Sequence, residues 1–228
     1  MRRLVLLRHG QSQWNLENRF TGWTDVALSE HGREEARKAG ELMLKAGILP
    51  EVAFTSYLRR AISTLWIVLE AVDRQWIPVR NDWHLNERHY GALQGLNKAD
   101  TAAKYGDSQV HEWRRGFDVL PPLLTPDDPR FPGHDPRYKT LTRDELPLAE
   151  SLQDTIARVR CCWEEYIVPS LANASTVLVA AHGNSLRGLV MMIRHLTAQE
   201  IVDVEMPTGK PWVFTLDERL EVTENFYL

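Results

Sequence analysis

Two stretches decide the fold: Leu4-Val5-Leu6-Leu7-Arg8-His9-Gly10 and Val177-Leu178-Val179-Ala180-Ala181-His182-Gly183-Asn184. Each is a short apolar run stopped abruptly by a His-Gly pair. Runs of this length and composition read as buried parallel strands. In an open α/β sheet, ligands bind at the carboxyl ends of the strands. Two such ends, each carrying an imidazole, bring His9 and His182 together despite their separation in sequence. Arg8 stands beside the first, which points to chemistry on an anion, a phosphoryl group above all.

Outward from these ends, strand and helix patterns alternate. Residues 3–8 and Val52-Ala53-Phe54-Thr55 read as strands, and Ile77-Pro78-Val79 as an edge strand, because Pro78 has no N–H for a ladder. Residues 176–181 form the second His-bearing strand, and 212–216 with 221–226 a closing pair. Helices are predicted at 30–46 (capped by Ser29), 57–72, 97–105, 108–115, 151–168 and 184–195. The expected architecture is a single α/β domain over 1–228, with a mostly parallel central sheet and helices on both faces. Residues 116–150 hold seven of the chain's twelve prolines. Such a long irregular stretch reads as a functional lid, with Phe117, Phe131 and Tyr138 available to pack.

Composition narrows the function classes. The net charge of −4 argues against nucleic acid or an anionic membrane as partner. No apolar stretch is long enough to span a bilayer. Met1-Arg2-Arg3-Leu4 has the look of a leader, but its apolar run lasts four residues before Arg8-His9, so the leader is rejected. Cys161 and Cys162 are adjacent and badly placed for a disulfide with each other. Together these features read as a cytoplasmic enzyme.

The chemistry-bearing residues follow from the strand ends. A neutral histidine held in one tautomer attacks phosphorus through a ring nitrogen, which suits His9. Gly10 would leave room for the substrate. Arg8 forks onto phosphate oxygens, and Arg59, opening the helix after Thr55-Ser56, is a second candidate. Arg60 reads as its solvated neighbour. Asn184 and Ser185 start the helix after His182, where free N–H groups meet anions. Glu87 is the one carboxylate in Leu85–Tyr90 and suits proton transfer. Lys98, Arg114 and Arg115 read either as a solvated cationic face or as the grip on a small polyanion. His9, His89, His182 and Glu87 lack the spacing of a local zinc motif, so no metal is expected. Neither a P-loop nor a dinucleotide fingerprint is present.

Leu7-Arg8-His9-Gly10 with Ser12 and Asn15 resembles the signature of the histidine phosphatase superfamily. Longer segments narrow the likeness. Asn18-Arg19-Phe20-Thr21-Gly22-Trp23, Leu85–Gly95, Trp113-Arg114-Arg115, Pro132–Tyr138 and Ala181–Arg187 resemble the 2,3-bisphosphoglycerate-dependent phosphoglycerate mutases, essentially end to end. The resemblance implies a phosphoglycerate mutase-like fold and interconversion of 3- and 2-phosphoglycerate in glycolysis and gluconeogenesis. It implies 2,3-bisphosphoglycerate as phosphoryl primer, no metal, and a homodimer or homotetramer. His9 would be the phosphohistidine nucleophile. Arg8, Arg59, Asn15 and His182 would hold the transferring group with the Gly183 backbone, and Glu87 would be the acid/base. Thr21, Gly22, Tyr90, Lys98, Arg114, Arg115 and Asn184 would grip the carboxylate and second phosphate.

Two departures stand out. Gln11 replaces the usual Glu, removing a negative charge expected near the site. The chain stops at Phe226-Tyr227-Leu228, where longer members continue with a mobile tail, so some hydrolysis of the phosphoenzyme is expected. Three competitors remain open: a phosphatase on the same fold, a bisphosphoglycerate synthase, and a non-catalytic phospho-ligand binder. Small Gly22 would leave room for the substrate to turn, favouring the mutase. Ile62, Leu65, Trp66 and Leu69 read either as a subunit interface or as core.

Overall fold

A computed structural model describes residues 2–228; Met1, which opens both the rejected leader and the single-domain range, lies outside them. The elements run β1 (Arg2–Arg8), α1 (Gln13–Leu16), α2 (Glu30–Lys45), β2 (Val52–Thr55), α3 (Arg59–Ala71) and β3 (Val79–Asn81). Then come α4 (Lys98–Tyr105), α5 (Asp107–Arg115), α6 (Leu152–Cys162), α7 (Val168–Asn173), β4 (Thr176–Ala181), α8 (Gly183–Ile193), α9 (Ala198–Ile201), β5 (Trp212–Leu216) and β6 (Val222–Tyr227). One sheet holds all six strands in the order β3-β2-β4-β1-β5-β6. The four strands from β3 to β1 run parallel, while β5 and β6 close the other edge antiparallel. This is the expected single α/β domain with a mostly parallel sheet.

The alternation along β1 builds the two cores. Leu4 and Leu6 pack on one face with Val177, Val179 and the apolar side of α6 and α8. Val5 and Leu7 point the other way, onto Ala39 and Met43 of α2 and Leu65, Val68 and Leu69 of α3. Period-two side chains on a twice-covered strand leave no polar position from Leu4 to Leu7, and Arg8 follows. The register pairs Arg8 with Ala181, so His9 and His182 leave the sheet side by side. A third, smaller cluster of Phe20, Leu93, Val110 and Trp113 anchors α5 beyond the sheet.

Several expectations shift. The edge strand begins at Val79, since Pro78 only accepts, its carbonyl taking the Ala53 N–H at 3.0 Å. The helix expected over 151–168 is α6, then a π-helical turn at Trp163–Ile167, then α7. The turn lies just before Pro169, whose ring would clash with an α-helical carbonyl of the preceding turn. Leu65 and Leu69 are fully buried and belong to the core, which removes them from any interface; Trp66 beside them is exposed. Both cysteines are free, Cys162 buried and Cys161 exposed. Among the described residues, no helix is long and apolar enough to cross a membrane.

The Pro-rich stretch 116–150, read from the sequence as a lid, is irregular, with short 3₁₀ turns. It supplies no wall of the pocket. These turns bury Phe131 and lay Tyr138 against the segment that carries Glu87. Tyr138 packs on Trp23 with ring centroids 4.9 Å apart, and its hydroxyl accepts from Asn86 Nδ2 at 2.9 Å. Arg88, wholly buried, donates to the carbonyls of Val119 and Glu150 at 2.7 and 2.8 Å. Through Tyr138 and the carbonyls of Val119 and Glu150, the stretch braces the segment that carries Glu87.

Candidate active site

The pocket opens at the carboxyl end of β1 and β4, as the strand ends require. His9 is buried, and its Nδ1 lies 2.7 Å from the Gly10 carbonyl. A carbonyl only accepts, so Nδ1 carries the proton and Nε2 presents a lone pair. Arg60 donates its Nε–H to that Nε2 at 3.2 Å, which agrees with the same tautomer. Burial, with the Arg60 and Arg8 guanidinium groups beside it, holds the imidazole well below its usual range. His9 is therefore neutral with its nucleophilic nitrogen aimed into the cavity. The His182 ring lies 4.9 Å from it, centroid to centroid. His182 is also kept neutral by burial and by nearby cations, and its Nε2 is 2.7 Å from Ser56 Oγ.

The two adjacent arginines of α3 exchange roles relative to expectation. Arg59 is exposed and pairs with Asp25, its Nε 3.2 Å from Oδ2, outside the pocket. Arg60 is buried and reaches His9, the Thr24 carbonyl at 3.0 Å and the Gly22 carbonyl at 2.8 Å. The cause is the rotation of α3: positions 60, 64 and 68 face inward, whereas 59, 66 and 70 face out. One residue along a helix turns a side chain by about 100°.

Glu87 lines the same cavity as His9. Its Oε1 accepts from the N–H of Arg88 at 2.9 Å, the N–H of Asn184 at 3.1 Å and Asn184 Nδ2 at 3.0 Å. Its backbone is fixed as well: the Glu87 carbonyl accepts from Trp23 Nε1 at 2.6 Å and Arg158 Nη2 at 2.9 Å. Arg158 is buried and paired with Glu150 at 2.6 Å, so a structural ion pair holds the acid/base candidate in place. Asn184 continues the chain of contacts to the Tyr90 hydroxyl at 3.3 Å and to Arg187 Nη1 at 3.2 Å.

The far wall is cationic. Lys98 opens α4, and Arg114 and Arg115 close α5. Burial, with Arg114 and Arg8 nearby, lowers the Lys98 ammonium to about 8. Arg187 is lowered to about 10 by burial and by Arg115. Among the described residues, seven basic side chains and a single carboxylate, Glu87, line the cavity of about 120 Å³. Buried nitrogens on two of those arginines, Arg8 Nε and Arg115 Nη1, have no protein partner. Donors of that kind suit an anionic ligand.

Of the residues expected here, Arg8, His9, Asn15, Thr21, Gly22, Glu87, Tyr90, Lys98, Arg114, Arg115, Gly183 and Asn184 line the cavity, with His182 directly behind. Arg59 does not. Arg60 and Arg187 were missed, although Arg187 stands on the same helix face as Asn184 and Gly183, three and four positions back. Arg19 and Phe20 also line the wall.

Two glycines have a different reason from the expected one. A Cβ on Gly10 would meet the Gly32 carbonyl oxygen at 2.1 Å, so Gly10 permits β1's loop to touch α2. Gly22 has φ +57, and a Cβ there would strike Gln94 Oε1, not the ligand space. Gln11 turns away from the cavity too, its Oε1 accepting from Ser29 Oγ at 2.9 Å, so the Glu-to-Gln departure does not alter the pocket wall.

Comparison with known proteins gives the fold and the family. A mycobacterial glucosyl-3-phosphoglycerate phosphatase is 26% identical, with TM-score 0.74, over 100% of this chain and 97% of its own. A putative alpha-ribazole-5'-P phosphatase of Escherichia coli shares the fold, with TM-score 0.71 at 20% identity, over 98% and 94% of the two chains. Residues 4–225 match the histidine phosphatase superfamily (branch 1), and the chain belongs to that family.

Proposed function

We propose that this protein is a 2,3-bisphosphoglycerate-dependent phosphoglycerate mutase that interconverts 3- and 2-phosphoglycerate through a phosphohistidine at His9. The observation that carries the reading is the second set of cations, Lys98, Arg114, Arg115 and Arg187, in the same cavity as His9. Hydrolysis of a phosphate ester needs a nucleophile, one phosphate clamp and water. A ligand that turns between two phosphorylation sites needs a cationic grip at each end. The small, polar cavity suits a compact polyanion.

His9 Nε2 takes the phosphoryl group, in line with its tautomer and neutral state. Bound 2,3-bisphosphoglycerate supplies that group as primer. Arg8 and Arg60 offer guanidinium donors to the equatorial oxygens, with Asn15, His182 and the Gly183 N–H beside them. In leaving His9, Arg60 Nε exchanges one acceptor for another without losing its two backbone anchors. Glu87 takes and returns the proton of the substrate hydroxyl through the carboxylate face that Asn184 leaves open. Thr21, Gly22, Tyr90, Lys98, Arg114, Arg115 and Asn184 hold the carboxylate and second phosphate, and Arg187 joins them. Arg60 takes the role expected of Arg59.

A second reading is hydrolysis of a phosphoglycerate-type ester, favoured by the full-length likeness to a glucosyl-3-phosphoglycerate phosphatase. Incubation with 3-phosphoglycerate in EDTA, with and without trace 2,3-bisphosphoglycerate, separates the two by phosphorus NMR. The mutase reading expects 2-phosphoglycerate, faster with the trace primer. Inorganic phosphate as main product establishes the phosphatase.

A further inference from the structure

Three consecutive residues outside the pocket each hold a different pocket arginine. The Val204 carbonyl accepts from Arg187 Nε at 2.9 Å. The Glu205 carboxylate accepts from Arg115 Nη2 at 3.0 Å. The Met206 carbonyl accepts from Arg8 Nη1 at 2.7 Å. This short strap thus joins the guanidinium beside His9 to two on the far wall. Each arginine uses only some of its donors there. Arg8 Nε and Arg115 Nη1 are left over.

The strap has its own anchor. Past Pro207, Thr208 Oγ1 donates to Glu35 Oε1 at 2.7 Å, and the Gly209 N–H donates to the Arg8 carbonyl at 3.1 Å. Gly209 sits at φ +63, and a Cβ there would meet Glu35 Cβ at 2.6 Å. The other oxygen of the same carboxylate, Glu35 Oε2, accepts the Gln11 N–H at 2.6 Å. Gln11 is two residues from His9. Glu35, on α2, therefore bridges the nucleophile's loop and the strap while lining no part of the cavity.

We infer that Glu35 is a positioning residue that sets the nucleophile loop at a fixed distance from the Val204–Met206 strap, and so decides how tightly the arginines grip a phosphoglycerate-sized dianion. The inference rests on the phosphoglycerate reading for its substrate, though not for its geometry. Misplacement of a clamp by a fraction of an ångström is costly because charge-assisted hydrogen bonds need their angle as well as their distance. Thr208→Val cuts only the strap's tie. Glu35→Ala cuts both ties. Glu35→Gln keeps both, since the amide oxygen accepts from Gln11 and the amide N–H₂ donates to Thr208.

The test measures KM and kcat for 3-phosphoglycerate in these three variants, with circular dichroism to follow folding. Thr208→Val is expected to raise KM about fivefold with kcat nearly unchanged. Glu35→Ala is expected to raise KM further and to lower kcat, and Glu35→Gln to match the parent. The inference is overturned if folded Thr208→Val and Glu35→Ala keep the parent KM. It is equally overturned if Glu35→Gln is as impaired as Glu35→Ala, or if kcat alone falls in step with the folded fraction. If the parent protein does not isomerise 3-phosphoglycerate, the functional reading fails, and calorimetric titration with inorganic phosphate still decides the strap. Weaker phosphate binding in Thr208→Val and Glu35→Ala, and not in Glu35→Gln, upholds it; equal binding in all four proteins overturns it.

Discussion

Arg60 donates its Nε–H to Nε2 of His9 at 3.2 Å, so the nucleophile's lone pair faces a guanidinium that also binds the Gly22 and Thr24 carbonyls. On the proposed reading, Arg60 is thereby preset at the spot where a phosphoryl oxygen develops charge. Replacing it removes that stabilisation and leaves a gap in the core, while replacing Arg59 removes only an exposed pair with Asp25. Arg60→Ala is expected to lower kcat by about a thousandfold. Arg59→Ala should stay within about twofold, in line with the small worth of exposed ion pairs. Steady-state kinetics on both variants checks this; equal losses would return the clamp to Arg59.

Glu87 is held through Oε1 by three donors, which orient it. Glu87→Gln keeps the shape and the contacts to Asn184 but cannot take a proton. The expected loss in kcat is about 10²- to 10⁴-fold with a modest change in KM. Single-turnover transfer from phosphorylated protein to 3-phosphoglycerate is the measurement. Transfer at the parent rate would assign the proton to another group.

Lys98 is lowered to about 8 by burial and by the neighbouring cations Arg114 and Arg8. On the proposed reading, the ammonium that is charged below that value grips the anion, and the neutral amine above it does not. The profile of kcat/KM, which reports free enzyme, should therefore fall on the alkaline side with a midpoint near 8. Lys98→Arg should move that limb to higher pH, because a guanidinium stays charged. An unchanged limb in Lys98→Arg would place the ionisation elsewhere.

Three buried histidines give stability its own pH dependence. His9, His182 and His89 are all pushed below the usual 6.5, His89 to about 3, chiefly by burial. The unfolded chain binds protons at these positions below 6.5, and the folded protein refuses them. Stability is therefore complete above 6.5 and falls as pH drops towards the folded values. The slope is roughly 1.4 kcal/mol per pH unit for each refused proton. Urea unfolding at about pH 7.5 and about pH 5.5 should show the midpoint dropping clearly. Equal midpoints would mean that these histidines charge without unfolding.

The strand ends were legible because a buried strand announces its own termination: four apolar residues, then Arg8, His9 and Gly10. The register that places His182 beside His9 follows from two such strands being parallel neighbours. Arg60 was harder. Adjacent arginines at a helix start look alike, and only the helix phase separates them. That phase was present in Thr64 and Val68, which follow Arg60 at steps of four, and in exposed Glu70 on the side of Arg59. Arg187 carried a similar signal, three positions after Asn184 on α8. Thr197 with Glu200 was an unread capping box for α9, and both groups do close on each other. In the Pro-rich stretch, proline density marks irregular backbone without saying whether its aromatics are buried. The strap at Val204–Met206 had no sequence signal at all, since two of its three contacts come from backbone carbonyls.

The central claim is that His9 Nε2 takes the phosphoryl group. Intact-mass measurement after brief exposure to 2,3-bisphosphoglycerate, followed by peptide mapping under alkaline conditions that preserve phosphohistidine, tests it directly. The expected result is one added phosphoryl group on His9, absent from a folded His9→Ala protein. No adduct, or an adduct elsewhere with His9→Ala still active, would contradict the account.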